Sequence, residues 1–105
     1  MLNTNIEFRK GILFVRLNGV LDKFTMNELD DTYNLIIDNK IKNIVFNIDE
    51  ISEIDNLGIK KLFNIYNNFN KNNLNCYFIK NKIIDNYKKI KEFDTELKAM
   101  EVIWN

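Results

Sequence analysis

The chain predicts an α/β fold, a mixed sheet of four to five strands covered by about four α-helices. Three observations carry this. The chain opens on two β-type runs around Lys10-Gly11, as in a hairpin. Strand-like and helix-like periodicities then alternate to the C-terminus, the pattern of a sheet covered by helices. Finally, the 105 residues contain no proline and no internal repeat, so no linker divides them, and a single domain over 1–105 is expected.

The elements follow in order. Asn5 to Arg9 and Ile12 to Asn18 read as the two hairpin strands. Thr25 to Asn39 carries Met26, Leu29, Tyr33, Ile36 and Ile37 at helical spacing, and Thr25-Met26-Asn27-Glu28 fits a capping box at its start. Asn43 to Ile48 reads as a buried strand, followed by an acidic turn over Asp49 to Glu53. Asn56 to Asn70 sets Ile59, Leu62, Phe63, Tyr66 and Phe69 on one face, with Asp55 as its cap. Leu74 to Ile79 is another strand, and Ile83, Ile84, Tyr87 and Ile90 mark a short third helix. Asp94-Thr95 caps a terminal helix from about Glu96, with Leu97, Met100 and Ile103 inward. Ile44, Phe46, Leu62, Phe63 and Tyr66 are the expected heart of the core.

Composition narrows the function. Fifteen basic residues balance fifteen acidic ones, so no global field favours nucleic acid or an anionic membrane. No apolar run approaches a membrane span and the N-terminus lacks a signal-peptide pattern, so no membrane insertion is expected. Cys76 is the only cysteine and lies within an apolar run, which fits a buried filler in a reducing, cytoplasmic setting. Asn, Ile and Lys dominate, as A/T-rich codons would dictate; Asn64 to Asn75 and Lys88, Lys89 and Lys91 therefore read as solvated helix and loop surface.

The catalytic inventory is poor. With no histidine, the commonest general base and nitrogen ligand are both missing. Three glycines make no phosphate-binding loop. Asp49, Glu50, Glu53 and Asp55 cluster, but consecutive acids before a helix are ordinarily solvated and favoured by its dipole. No enzyme activity, metal or cofactor is expected. A receiver-domain reading of Asp55 fails as well, because Lys10-Gly11 and Asn18-Gly19 stand where an acidic pair would hold magnesium.

Two motifs point to a family. Asn43 to Leu62 contains Asp55-Asn56-Leu57-Gly58-Ile59-Lys60 at a strand-to-helix turn, a place where exposed backbone N–H groups commonly host sites. Leu21-Asp22-Lys23-Phe24-Thr25-Met26-Asn27-Glu28-Leu29 precedes it and matches L-D-x-x-T-x-x-x-L. Together, and in order from about Ile6 to Ile84, these resemble the STAS domain, especially bacterial anti-sigma factor antagonists. In that family the turn runs D-S-S-G-L-G, and a partner kinase phosphorylates the serine before the first glycine. Here Asp55 and Gly58 are kept, while Asn56 and Leu57 replace both serines and Lys60 replaces the second glycine.

The resemblance implies a STAS-like fold and a non-catalytic module that docks onto a protein partner, an anti-sigma factor or kinase-like regulator. It implies a docking surface of Asp22, Asp55, Asn56, Leu57, Gly58 and Lys60, with no phosphorylation at Leu57. Ser52 and Thr25 are the nearest hydroxyls, one before the turn and the other read as a cap. Leu57 admits two readings, packed beneath the helix start or exposed as an apolar anchor, and the family position favours exposure. Transport-accessory, ligand- or nucleotide-binding and scaffold roles also occur to the same fold and stay open here.

Overall fold

A computed structural model describes residues 1–79 and 90–104. The elements are β1 (Leu2–Arg9), β2 (Ile12–Leu21), a 3-10 turn (Met26–Glu28), α1 (Leu29–Asp38), β3 (Asn43–Ile54), α2 (Asn56–Lys71), β4 (Asn75–Ile79), β5 (Glu92–Phe93) and α3 (Glu96–Trp104). The five strands form one mixed sheet in the order β1-β2-β3-β4-β5. β1 and β2 are antiparallel, and every later neighbour is parallel. The expected α/β architecture is therefore found, with three α-helices among the described residues. The third helix expected over Ile83 to Ile90 lies outside them, apart from Ile90 itself, which packs on the core.

Two apolar layers sandwich the sheet. On one face, Leu13, Val15, Ile44, Phe46 and Phe78 pack with Leu29 and Ile36 of α1 and Leu62, Tyr66 and Phe69 of α2. On the other, Ile12, Phe14, Val45 and Ile79 meet Ala99 and Met100 of α3. Strands buried on both faces explain the near-continuous apolar runs Ile12 to Val15 and Ile44 to Phe46. Burial of Cys76 raises its thiol pKa well above the ordinary range, so the side chain is an inert filler.

Several expectations need correction. β3 runs on to Ile54 and β2 to Leu21, so the acidic stretch is strand rather than turn. Register shifts between Arg16 and Asn18 and between Gly19 and Val20 allow this. Ile48 and Ile51, three residues apart, consequently both enter the same core, whereas unbroken alternation would put them on opposite faces. Phe63 is only half-buried, edge-on to Phe78 at 5.6 Å, and Ile65 takes the deeper position. Ile37 and Leu97 face solvent, while Thr32 and Ala99 are buried in their helices instead.

The capping box at Thr25 does not form. Asp22 Oδ1 accepts the N–H groups of Phe24 (2.9 Å) and Thr25 (3.1 Å). Thr25 Oγ1 instead accepts from Asp22 N (3.0 Å) and donates to Val20 O (2.8 Å). A carboxylate is the stronger acceptor, so Asp22 organises the turn and Thr25 props it. The helical path therefore begins as a 3-10 turn, and α1 starts at Leu29. At α3 the expected cap is present, with Thr95 Oγ1 accepting Lys98 N at 3.1 Å.

α3 is also held by charge. Arg16 donates from Nε and Nη2 to both oxygens of Glu96 (2.8 and 2.7 Å) and from Nη2 to Glu7 (2.9 Å). Asn47 Nδ2 donates to the same Glu96 carboxylate at 2.8 Å. The hydrogen bonds from Arg16 hold the Glu96 carboxyl below its usual pKa, and those to Glu96 raise that of the guanidinium. Strands β1, β2 and β3 are thereby tied to the first turn of the last helix.

Candidate functional site

The site grows from the close meeting of two chain segments. β2 ends at Leu21, and Leu21 O accepts Asp55 N at 3.2 Å, fixing the start of α2 against it. Asp55, extended at φ −103° and ψ 177°, caps α2 by accepting Gly58 N on Oδ1 at 2.7 Å. Its Oδ2 accepts Lys23 N at 3.0 Å. One carboxylate thus clamps the α2 N-terminus to the loop after β2. The N–H of Gly58, and after it that of Lys23, holds the Asp55 carboxyl below its usual pKa range.

Gly58 is dictated by this approach. A Cβ there would lie 2.3 Å from Leu21 O and 2.8 Å from Leu21 C, inside van der Waals contact with a fixed backbone. Asp22, Asp55, Asn56, Leu57 and Gly58, separated by more than thirty positions in sequence, therefore meet at one junction. Lys60 is exposed on α2 and sits three residues beyond Leu57, on the same helix face.

Leu57 is 47% exposed, in line with the anchor reading. Sequence reasoning missed its companion. Phe24 is 81% exposed, directly after the Lys23 amide that binds Asp55, with Lys23 Nζ 5.0 Å from its ring centre. No local pattern marks it: Phe24 lies in the turn before the helical path, and its exposure follows from Asp22 and Thr25 bonding to the backbone around it. The surface therefore presents two large apolar side chains beside Lys23 and Lys60, on a backbone pinned from beneath.

The nearby hydroxyls are engaged. Thr25 is buried and bonded at both ends, and Ser52 Oγ donates to Gly19 O at 3.1 Å from strand β3. Among the described residues no three acidic or cysteine side chains converge as a metal site would require. Nor is any described helix long and apolar enough to cross a membrane.

A model of the STAS domain matches residues 3–84. This chain belongs to the STAS domain family. Its fold is that of solved family structures. SpoIIAA, an anti-sigma factor antagonist, in its unphosphorylated form aligns at 15% identity and TM-score 0.78 over 98% of this chain and 99% of that one. An anti-sigma factor antagonist from Mycobacterium paratuberculosis aligns at 14% identity and TM-score 0.80, covering 100% and 96%. The phosphorylated form of SpoIIAA from Bacillus gives 14% identity and TM-score 0.72, covering 96% and 99%. No curated protein matches the sequence. At these identities the likeness establishes the STAS fold, and function has to be argued from the junction itself.

Asp55→Ala removes both bonds of the clamp and is expected to lower Tm by several degrees, on the scale of a lost cap. Asp55→Asn keeps one acceptor but turns its amide nitrogen towards a donor, so its loss should be smaller. The folded pKa of Asp55 lies below the unfolded value. Its contribution is therefore present above the unfolded pKa and disappears as pH falls through the folded one. Wild-type protein should lose more stability in acid than Asp55→Asn, measured by thermal unfolding across the carboxylate range. Equal acid sensitivity of the two proteins would refute the clamp.

Proposed function

We propose that this chain is a non-catalytic regulatory module of the anti-sigma factor antagonist type, acting in the cytoplasm as one STAS unit over 1–105. Its partner is a protein, an anti-sigma factor or kinase-like regulator, docked on Asp22, Phe24, Asp55, Asn56, Leu57, Gly58 and Lys60. One observation carries this reading. Phe24 and Leu57 are exposed on a junction whose backbone is held by the Asp55 clamp. Apolar groups displayed on a rigid frame lose little freedom on binding, which is what an interface anchor requires. Lys23 and Lys60 beside them favour a partner with an acidic rim.

The module works without the family's phosphoserine. Asn56 and Leu57 offer no nucleophilic oxygen, and Thr25 and Ser52 are hydrogen-bonded to backbone carbonyls. After incubation with a serine kinase of the family and ATP, intact mass should be unchanged. A stoichiometric gain of one phosphate on Ser52 or Thr25 would restore the ordinary switch and refute this part.

Affinity capture on the tagged chain from its own cells, with mass spectrometry of what is bound, tests the partner class. An anti-sigma factor or kinase-like protein supports the reading. A transport subunit, or retention of a small ligand with no protein, would instead assign the chain to a transport-accessory or ligand-binding role.

A further inference from the structure

The sheet face beneath α3 changes character halfway along. Ile12 and Phe14 of β2 and Val45 of β3 lie under Ala99 and Met100. Alternation then places Arg16 and Asn18 of β2 on the same face. Pairing aligns them with their neighbours in two rows, Asn5-Arg16-Asn47 nearer α3 and Asn3-Asn18-Glu50 beyond it. With Leu17 these residues line a cleft of about 390 Å³, the size of a small-molecule site. A β-bulge sets the outer row. From Arg16 to Asn18 the partner moves from Asn47 to Glu50, so β3 advances one residue more than β2. Unbroken pairing would set Asp49 against Asn18, and the bulge re-aims the strand so that Glu50 stands there instead.

The two rows differ in what they leave free. In the inner row Arg16 donates from Nη1 to Asn5 Oδ1 at 3.1 Å, and its Nε and Nη2 are engaged by Glu96 and Glu7. Asn47 donates to Glu96 and accepts Asp49 N on its Oδ1. This row is a saturated wall. In the outer row Asn3, Asn18 and Glu50 are exposed, and their side chains have no hydrogen-bond or ion-pair partner among the described residues. Charge is left over as well. Arg9 and Arg16 balance Glu7 and Glu96, and the carboxylate of Glu50 remains. Codon bias supplies asparagine but does not place it. Lysine has equally A/T-rich codons and is common in the chain, yet neither row contains one, and asparagine is a poor strand residue.

We propose that this cleft binds a small organic cation, an ammonium or guanidinium compound. Glu50 is its counter-ion, and the amide oxygens of Asn3 and Asn18 accept its remaining N–H groups. The free groups select this class. An anion would meet Glu50 and find no guanidinium donor unused. A hard metal ion takes six or more oxygens, several of them carboxylate, and only one free carboxylate stands here. A neutral polyol would leave the charge of Glu50 uncompensated. A cation bearing several N–H groups satisfies one carboxylate and two amide oxygens together, by charge-assisted bonds. The cleft shares no residue with the junction of Asp22 and Asp55, so this site does not depend on the proposed docking function.

Titration of the 15N-labelled chain with agmatine, methylguanidinium and spermidine at constant ionic strength tests the site by nuclear magnetic resonance. Saturable shifts of the Asn3 and Asn18 side-chain amide signals are expected, with none from glucose or inorganic phosphate. Glu50→Gln preserves the shape of the cleft and should weaken binding by about tenfold or more, the loss of one hydrogen bond to a charged group. Asp49→Asn removes the same charge one residue away, outside the row, and should change affinity by less than about twofold. Both positions are exposed, so Tm should stay that of wild type in each. No saturable shift with any of the three cations up to about 10 mM overturns the proposal. So does equal weakening by the two variants, which would mean diffuse attraction to acidic surface. A response to glucose or phosphate as large as that to the cations would overturn the ligand class.

Discussion

Gly58→Ala is expected to lower stability by about 3 kcal/mol, an overpacking cost at the upper end of its usual range. Alanine favours a helix interior over glycine by about 1 kcal/mol, so a substitution within α2 would ordinarily stabilise. Here the new methyl would stand 2.3 Å from Leu21 O and 3.1 Å from Leu21 Cγ. The carbonyl cannot withdraw freely, because it accepts Asp55 N and ends a strand paired with β3 through Leu21 and Ile54. α2 has to move instead, and it carries Leu62, Tyr66 and Phe69 into the main core. Close packing transmits that displacement instead of absorbing it. Chemical denaturation measures the change. A neutral or stabilising result would show that the helix start and β2 are not in contact, and the clamp would lose its basis.

Much of this architecture was legible because local and global signals agree. The Lys10-Gly11 turn, the Asp55 cap, the Thr95 cap and the apolar face of α2 each follow from a short stretch read alone. The errors have tertiary causes. β3 was cut short because bulges let Ile48 and Ile51 share a core, which no fixed period reveals. Phe63 and Leu97 were expected inside because periodicity locates a face but not how far the opposing layer reaches.

The charge network illustrates the same limit. Arg16 lies between buried Val15 and Leu17 on β2, and its partner Glu96 is eighty positions away, beyond any local pattern. At the candidate site the motif residues were legible and Phe24 was not. Its exposure results from Asp22 and Thr25 both turning their side chains to the backbone beside it. Sequence spacing places Asp22 and Asp55 in different elements; the bonds from Asp55 N to Leu21 O and from Lys23 N to the Asp55 carboxylate make them one surface.

Leu57→Asp separates folding from function. The side chain is nearly half exposed in the first turn of α2, so few core contacts are at stake. A carboxylate there faces the positive end of the helix dipole, worth about 0.3–1 kcal/mol, and Lys60 lies one turn along the same face. Its proximity to Asp55 subtracts from this, so unfolding should be within about 0.5 kcal/mol of wild type, as for surface changes generally. Binding responds differently. An anchor replaced by a charge that the partner must desolvate should weaken the complex by about 2 kcal/mol or more, some thirtyfold in Kd. Thermal unfolding and titration against the captured partner should therefore diverge, with stability retained and affinity lost. Loss of both would mean that Leu57 supports the core, and the anchor reading would fail. Retention of both would move the docking surface away from the α2 N-terminus. Phe24→Asp distinguishes the remaining cases: if Phe24 and Leu57 enter one partner pocket, the double variant should lose less than the sum of the two single losses.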